Sequence, residues 1–399
     1  VDIYFVSKVS VNAVATVGLT ESVLFIIFSI AMGLSMAVTA IISRRIGEKN
    51  YKRANDAAFQ AIVLGLTFGI SLGILGYIYS GDILALMGGE PELIEEGLAY
   101  TQIIYATNVV VFLLFLINAI FRGAGDASIA MRSLWMANGL NIILDPLFIF
   151  GIWIFPEMGV KGAAIATTIG RGSGVLYQVY RLVNGTSIIK LGIKNFVIRS
   201  KTIIEMLKIS LGGMGQFLIE SASWIFLVRV VSIFGSEALA GYTIAFRVIV
   251  FTILPSWGMA NAAATLVGQN LGAKKPDRAE KSVWVTALYN AIFLFIISVV
   301  FYVFADSIIG FFTDEIEVKN IGRSALQIIC LGYIAFSYGM VVGQAFNGAG
   351  DTKTPMWISL IAFWLIQIPL SYLFAVTFDW KSEGVFYCIA IAHSLYAII

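Results

Sequence analysis

Long apolar runs constrain the fold of this chain more than any other feature. Four of them, at Val23–Ile42, Ala61–Ser80, Ile103–Phe121 and Ala287–Ala305, are each close to the roughly 20 residues that a helix needs to cross a bilayer. Only 13% of the 399 residues are charged, whereas soluble domains carry about 25%. One globular core cannot hide so much apolar surface, so the sequence predicts an all-α polytopic membrane protein.

The hydrophobic pattern divides the chain into twelve predicted transmembrane helices. We expect the first, 1–9, and the last, 384–399, to be truncated, because neither is long enough to span, and we expect the natural protein to be longer. The ten complete helices are predicted at 18–47, 51–80, 93–122, 127–155, 159–185, 203–234, 236–272, 277–310, 317–348 and 352–378.

Lysine and arginine are distributed unevenly between the two ends of these helices. Most of the 26 basic residues lie in the connections that follow even-numbered helices. On the other side, the segment Gly81–Gly97 carries acidic residues and no base. Since loops rich in lysine and arginine stay in the cytoplasm, the basic side is predicted to be cytoplasmic, in a multi-pass protein of the cell membrane.

An internal repeat indicates two homologous halves. The sequence Phe-Arg-Gly-Ala-Gly-Asp at 121–126 returns 225 residues later as Phe-Asn-Gly-Ala-Gly-Asp at 346–351. Segment 46–54 matches segment 271–279 at the same offset, and a shorter match links 13–15 with 238–240. Six helices in each half give the halves the same orientation, as in transporters with parallel repeats.

We therefore expect an N-terminal six-helix lobe over 1–185, a cytoplasmic linker over 186–201 and a C-terminal six-helix lobe over 202–399. Two similar lobes around a cleft suit alternating access, in which the cleft opens to each side in turn.

Acidic residues within the predicted spans are candidates for function, because a charge inside a membrane is costly. Asp145 lies deep in the fifth helix, Asn141 shares its helix face four residues earlier, and Asn138 extends the polar stripe. Pro146 has no N–H, so the carbonyl of Ile142 loses its helical partner. These groups predict an oxygen-rich site for a cation, although a polar contact between helices is the alternative.

Two further acids, Asp2 and Glu220, lie in the first and seventh helices. Asp2 would approach Asp145 only if the first and fifth helices pack together. In a low dielectric two carboxylates should not both stay ionised without a cation, so one would bind a proton or the pair would hold Na⁺. Glu220 is a candidate proton or substrate-cation site in the other half, unless it pairs with Arg247 or Arg171.

Other classes of function lack their characteristic residues. Cys330 and Cys388 lie in apolar helices and give neither a disulfide framework nor metal-ligand spacing. A membrane enzyme would need a histidine–aspartate or metal cluster, and the sequence has one histidine, His393. The sequence contains no basic patch interleaved with aromatic residues, so it does not indicate nucleic-acid binding. We therefore expect a protein that is not an enzyme, with no cofactor and no nucleic-acid partner.

Several motifs together resemble the multidrug and toxic compound extrusion (MATE) family, in its prokaryotic branch. The resemblance covers nearly the whole chain and rests on Val1-Asp2, Ala13–Gly18, Arg45–Gly47, Asn118–Asp126, Asn141–Pro146, Gly159–Thr167, Ala245–Arg247, Pro255–Gly258 and Leu266–Ala273.

This resemblance implies export of small amphiphilic, often cationic compounds in exchange for H⁺ or Na⁺. It implies an N-lobe cation site at Asp2, Asn141, Asp145 and Thr167, which would bind Na⁺ in a sodium-coupled protein. Expected partners are a small organic substrate and membrane lipid, and the protein is expected to act as a monomer.

The resemblance also implies that Asn118 and Tyr100 join the polar network. Glu220 resembles a glutamate of other branches, but the tenth-helix aspartate of those branches is missing here, which favours the N-lobe. A flippase for lipid-linked oligosaccharides has the same fold and is the first alternative function; a channel is another.

Overall fold

The computed structural model describes residues 2–184, 187–192 and 197–399, with the side chain of Asp2 outside the description. In that part of the chain the regular structure is helical and contains no strand. The α-helices are α1 (Asp2–Val6), α2 (Val11–Gly47), α3 (Tyr51–Ile78), α4 (Ser80–Leu86), α5 (Pro91–Ala106), α6 (Asn108–Ala124), α7 (Ala127–Ile149), α8 (Gly159–Val183), α9 (Ser200–Val231), α10 (Ser236–Gly272), α11 (Pro276–Gly310), α12 (Ile316–Ile329), α13 (Tyr333–Ala349), α14 (Lys353–Ser359), α15 (Ile368–Tyr372) and α16 (Lys381–Ile398).

The predicted helices are recovered, and the differences have local causes. The helix predicted from residue 18 begins at Val11, because the Ser10 side chain caps it by accepting a hydrogen bond of 2.9 Å from the Ala13 N–H. The helix predicted over 93–122 is two helices separated at Thr107. Its counterpart in the second half, 317–348, is interrupted by a 3₁₀ turn at Cys330–Gly332. These breaks are invisible to an apolar pattern that continues through them.

Eight helical stretches of the described chain are long and apolar enough to cross a membrane. Of the ten complete helices predicted, the two that fall outside this set are α7 and α8. Both are long enough, with 23 and 25 residues, but charged and amide side chains interrupt their apolar runs, as at Arg132 and Asp145 in α7 and at Arg171 in α8. Their polar side chains contribute to the candidate site described below, so their low hydropathy has a structural explanation.

The repeat seen in the sequence is present in the backbone. Shifted by 225 residues, α2 coincides with α10 and α6 coincides with α13 at both ends. Gly125 ends α6 with a left-handed φ of 88°, and Gly350 ends α13 with a φ of 90°. Two such ends at one offset confirm the two pseudo-symmetric halves.

The chain forms two compact units, Val1–Ser210 (the N-terminal unit) and Leu211–Ile399 (the C-terminal unit). The boundary falls inside α9, a few residues after the predicted linker. The division at 186–201 stays a prediction, because residues 186 and 193–196 lie outside the described part.

Small residues bring α7 and α8 together in the N-terminal unit. A Cβ atom at Gly170 of α8 would lie 2.6 Å from the Ala137 carbonyl oxygen, and one at Gly162 would lie 2.5 Å from the Phe148 carbonyl oxygen. Glycine therefore allows the two backbones to touch, as is common between membrane helices. This close approach is what allows side chains of α7 and α8 to meet inside the unit.

The C-terminal unit packs α10 against α11, α12 and α13 around a core that includes Tyr242, Leu294 and Phe386. Its next stretch is irregular: α15 lies between π-helical segments at Leu360–Gln367 and Leu373–Thr377. Pro369 is in that short helix and cannot donate a backbone hydrogen bond, a common cause of such breaks.

Candidate cation and substrate sites

The N-terminal unit contains a buried cluster of three polar side chains, Asn141, Asp145 and Thr167, here called the carboxylate cluster. The amide of Asn141 donates to Asp145 Oδ1 over 3.0 Å and to Thr167 Oγ1 over 3.3 Å. Asp145 has no exposed surface and Thr167 is 6% exposed. A carboxylate, an amide and a hydroxyl therefore meet in the interior of a predicted membrane helix pair.

Local sequence and close packing together build this cluster. Asn141 and Asp145 are four residues apart on α7, so they share one helix face. Thr167 comes from α8, and Gly170, one turn further on, lies against Asn141: a Cβ there would be 3.1 Å from the Asn141 Cβ. The cluster is oxygen-rich, which suits a hard cation, and a buried carboxylate is stabilised when a proton or a metal ion neutralises it.

Helix α1 packs against the helix that carries Asp145, as the predicted approach of Asp2 to Asp145 requires. Helix α1 contacts α7 and α8. Val6 is fully buried, and the Phe5 and Phe150 rings are 6.3 Å apart. The condition that the first and fifth predicted helices pack together is therefore met. The predicted role of Asp2 depends on its side chain, which lies outside the described residues.

Asn118 belongs to a second polar cluster, formed with Ser133 and Gln178. The Gln178 amide donates to Asn118 Oδ1 over 2.6 Å and to Ser133 Oγ over 2.8 Å. All three side chains are buried. Because Ser133 precedes Asn141, the nearer α7 member of the carboxylate cluster, by eight positions, about 12 Å of helix separates the two clusters. The polar network of Asn118 is therefore separate from the carboxylate cluster and contacts α7 at Ser133.

The two remaining candidates of this unit have contrasting surroundings. Tyr100 on α5 is buried, with 3% of its surface exposed. Asn138 is exposed and lies outside the carboxylate cluster, although it is three residues from Asn141. A spacing of three places two residues on neighbouring parts of a helix face, but only one of them needs to point into the interior.

Glu220 lies on α9 in the C-terminal unit and accepts hydrogen bonds from neutral donors. The Gln216 amide donates to its Oε1 over 3.2 Å and the Ser359 hydroxyl over 3.0 Å. Arg247, one of the ion-pair partners that the sequence left open, is exposed on α10. The structure therefore gives Glu220 amide and hydroxyl donors in place of that arginine.

A cavity of about 230 Å³ adjoins Glu220, here called the C-terminal cavity. Its polar lining includes the side chains of Gln344, Gln367 and His393. The His393 ring is 4.5 Å from the Phe336 ring and 5.3 Å from the Phe363 ring, between centroids. The aromatic lining residues are Trp224, Phe246, Trp257, Phe336, Phe363 and Tyr396. A carboxylate among aromatic faces is suited to an organic cation.

Sequence reasoning missed several of these residues. Gln178 and Gln216 are amides inside predicted spans. Because burying a polar side chain in a membrane is costly, their positions were a signal that sequence reasoning could have used. Ser359 and His393 carried no such signal, because serine and a single histidine are common in helix packing.

Two homologous helical halves, with polar clusters inside otherwise apolar helices, define a class of polytopic membrane transporters. The MatE family model matches residues 1–147 and 214–373 of this chain. The chain therefore belongs to the MatE family, and the resemblance seen in its motifs is confirmed. Membership places it among membrane transporters and not among enzymes.

Curated relatives cover most of the chain. It is 25% identical to "Probable multidrug resistance protein YoeA" of Bacillus subtilis, over 91% of this chain and 79% of that protein. It is 26% identical to "Probable multidrug resistance protein NorM" of Thermotoga maritima, over 95% and 81%. It is 24% identical to "Multidrug export protein MepA" of Staphylococcus aureus, over 100% and 86%.

Solved structures share the fold over the whole chain. A MATE protein in a bent conformation aligns with a TM-score of 0.92, and one in a straight conformation with 0.93, both at 26% identity over 100% of this chain and 88% of theirs. A MOP superfamily transporter from Pyrococcus furiosus, described as having reverse polarity of its binding pocket, aligns with 0.90 at 25% identity over the same shares.

Proposed function

We propose that this protein is an antiporter that exports small amphiphilic, often cationic organic compounds in exchange for H⁺ or Na⁺. The observation that carries the proposal is the burial of Asp145, a carboxylate without exposed surface, beside Asn141, whose amide also donates to Thr167. A buried ionised carboxylate is costly, so the site gains stability when it takes up a small cation. Coupling then follows if the uptake of the cation and of the substrate favour different conformations.

The cycle begins with the substrate entering from the cytoplasm. A proton or Na⁺ from outside then neutralises the carboxylate cluster, α7 and α8 repack, and the substrate is released outside. MATE structures described as being in a bent and in a straight conformation support a cycle in which the protein changes conformation. Alternating access by two halves is the expected mechanism for parallel repeats, and the protein needs no second copy for it.

The driving force is adequate for this task. One positive charge moving inward at about 100 mV contributes about 2.3 kcal/mol. Since 1.4 kcal/mol corresponds to a tenfold ratio, one cation per cycle sustains a gradient of about fiftyfold in a neutral solute. A monovalent cationic substrate cancels this electrical contribution in a one-for-one exchange, so the concentration gradient of H⁺ or Na⁺ must then supply the driving force.

We propose that the C-terminal cavity receives the charged end of the substrate. Glu220 supplies the counter-charge, and aromatic faces such as Trp224 and Phe363 favour a flat or alkylated cation. The same carboxylate disfavours the phosphate groups of lipid-linked oligosaccharides, which makes the flippase the weaker candidate.

Transport by Asp145→Asn in proteoliposomes tests the proposal. An amide keeps the size of the side chain and removes the charge, so we expect coupled efflux to fall by at least about a hundredfold, as for loss of a group essential to the cycle. Na⁺ and pH gradients are imposed separately to identify the coupling ion.

The matched control is Asp82→Asn, which makes the same chemical change at an exposed position on α4. It should transport at the wild-type rate. Efflux by Asp145→Asn at that rate, from protein that elutes as a folded species, would overturn the proposal.

A further inference from the structure

A second cavity, of about 460 Å³, lies at the end of the N-terminal unit that is predicted to face the cytoplasm. We call it the basic pocket. It is formed by the end of α2, the start of α3, Arg199 and the first turns of α9. Its lining contains four basic side chains and two acidic ones: Arg45, Arg53, Arg199, Lys201, Asp56 and Glu205.

Hydrogen bonds and ion pairs fix the shape of this pocket. The Arg199 guanidinium lies 2.9 Å from Asp56 Oδ2, and the Arg199 backbone N–H donates to Gln60 Oε1 over 3.1 Å. The Gln60 amide donates to the Val197 carbonyl over 2.9 Å. The segment before α9 is thereby attached to α3, which holds the basic side chains around the cavity.

The charges do not cancel within the pocket. Arg199 neutralises Asp56, and Arg45 lies between Glu48, at 3.0 Å, and Glu205, at 3.9 Å. Arg53 and Lys201 are exposed and form no ion pair with any residue that the structure describes. The first turn of α9 adds the positive end of a 32-residue helix. The pocket therefore favours an anion.

Apolar side chains beside the pocket indicate the source of that anion. Val197 and Ile198, directly before Arg199, are 54% and 66% exposed, and Ile204 on α9 is 50% exposed. A soluble phosphate gains nothing from such neighbours, whereas the acyl chains of a lipid do. Basic pockets at the cytoplasmic ends of membrane helices are suited to phosphate headgroups.

We infer that the basic pocket binds the phosphate headgroup of an anionic phospholipid from the cytoplasmic leaflet. Arg53 and Lys201 provide the unpaired charges for the phosphate, and Ser200 and Thr202, which also line the pocket, provide hydroxyl donors. The acyl chains lie along Val197 and Ile198. This inference is independent of the coupling ion and of the substrate.

Binding of short-chain lipids to the detergent-purified protein tests the inference, with native mass spectrometry as the readout. The probes are dioctanoyl phosphatidylglycerol, dioctanoyl phosphatidylcholine and inorganic phosphate. Each basic residue near an anionic lipid contributes about a factor of five. The double variant Arg53→Gln/Lys201→Gln should therefore bind phosphatidylglycerol about thirtyfold more weakly and phosphatidylcholine unchanged.

The repeat supplies a matched control, Lys275→Gln/Arg278→Gln, since position 278 corresponds to Arg53 and both control side chains are exposed. Its affinity for phosphatidylglycerol should stay within about twofold of wild type.

Equal losses of affinity in both double variants would mean a general attraction between basic residues and anionic lipid and would overturn the inference. An unchanged affinity in Arg53→Gln/Lys201→Gln would also overturn it. Displacement of the lipid by inorganic phosphate at equal concentration would mean a soluble-anion site and would also overturn it. All variants change exposed side chains, and their melting temperatures without lipid verify folding.

Discussion

Single side chains decide which cation the carboxylate cluster can hold. Asp145 supplies the charge, but the amide of Asn141 joins it to the Thr167 hydroxyl, so three residues act as one group. A proton needs only the carboxylate, whereas Na⁺ also needs neutral oxygens around it. In the proposed mechanism, Thr167 is therefore the residue that distinguishes Na⁺ from H⁺.

Replacing Thr167 by alanine should weaken the binding of Na⁺ and leave the dependence of efflux on pH unchanged. Loss of one hydrogen-bonding oxygen costs about 1 kcal/mol, or about fivefold in apparent affinity. The measurement is initial efflux in proteoliposomes as a function of Na⁺ concentration and, separately, of pH. Thr167→Ser keeps the oxygen and should behave as wild type. Na⁺-driven efflux with an unchanged apparent affinity for Na⁺ in the alanine variant would exclude Thr167 from the site.

Helix packing brings the cluster together. Three glycines of α8, Gly162, Gly170 and Gly174, face the backbone or small side chains of α7. Their spacing lets the two helices touch over several turns, and a wider separation would draw Thr167 away from Asn141. The polar contact thus depends on a residue type that has no side chain.

Gly170→Ala should loosen this helix pair. Its Cβ would lie 2.6 Å from the Ala137 carbonyl oxygen, so the helices must separate, at a cost of about 1–3 kcal/mol. We expect a lower melting temperature in detergent together with a reduced transport rate. Gly172→Ala, on the same helix, adds a methyl group where nothing lies within 4 Å, and it should melt as the wild type does. Equal melting of the two variants would contradict the packing argument.

The two halves repeat helices such as α2 and α6 without repeating their chemistry. Shifted by 225 residues, Asn141 and Asp145 correspond to Ile366 and Leu370, so the carboxylate cluster has no copy in the second half. The C-terminal unit instead carries Glu220 and its aromatic cavity. In the proposed mechanism, one half therefore binds the small coupling cation and the other binds the larger organic cation.

Glu220→Gln should separate these roles. We expect the KM for a cationic substrate to rise at least about fivefold, because a charge–charge contact contributes about 1 kcal/mol even in bulk water and more in a protein, while the maximal rate at a fixed gradient changes little. Initial efflux rates in proteoliposomes give both parameters, and Glu280→Gln, at an exposed position on α11, is the control. A fall in maximal rate with unchanged KM would mean that Glu220 belongs to the coupling machinery.

The sequence by itself determined the features that depend on local or periodic patterns. Apolar length placed the helices, the 225-residue offset revealed the two halves, and the four-residue spacing put Asn141 and Asp145 on one face. Each follows from the geometry of a single helix or from similarity between segments, so no tertiary contact was needed to infer it.

Only the tertiary structure decided which distant side chains meet. Asn118 joined Gln178, Glu220 received Ser359 from α14, and Arg199 closed a pocket with α3. These partners lie 60 to 143 residues apart in the chain, and the resemblance had grouped Asn118 differently. These contacts depend on how closely whole helices pack. That packing is set by glycines and small side chains, and no periodic pattern in the sequence encodes their contacts.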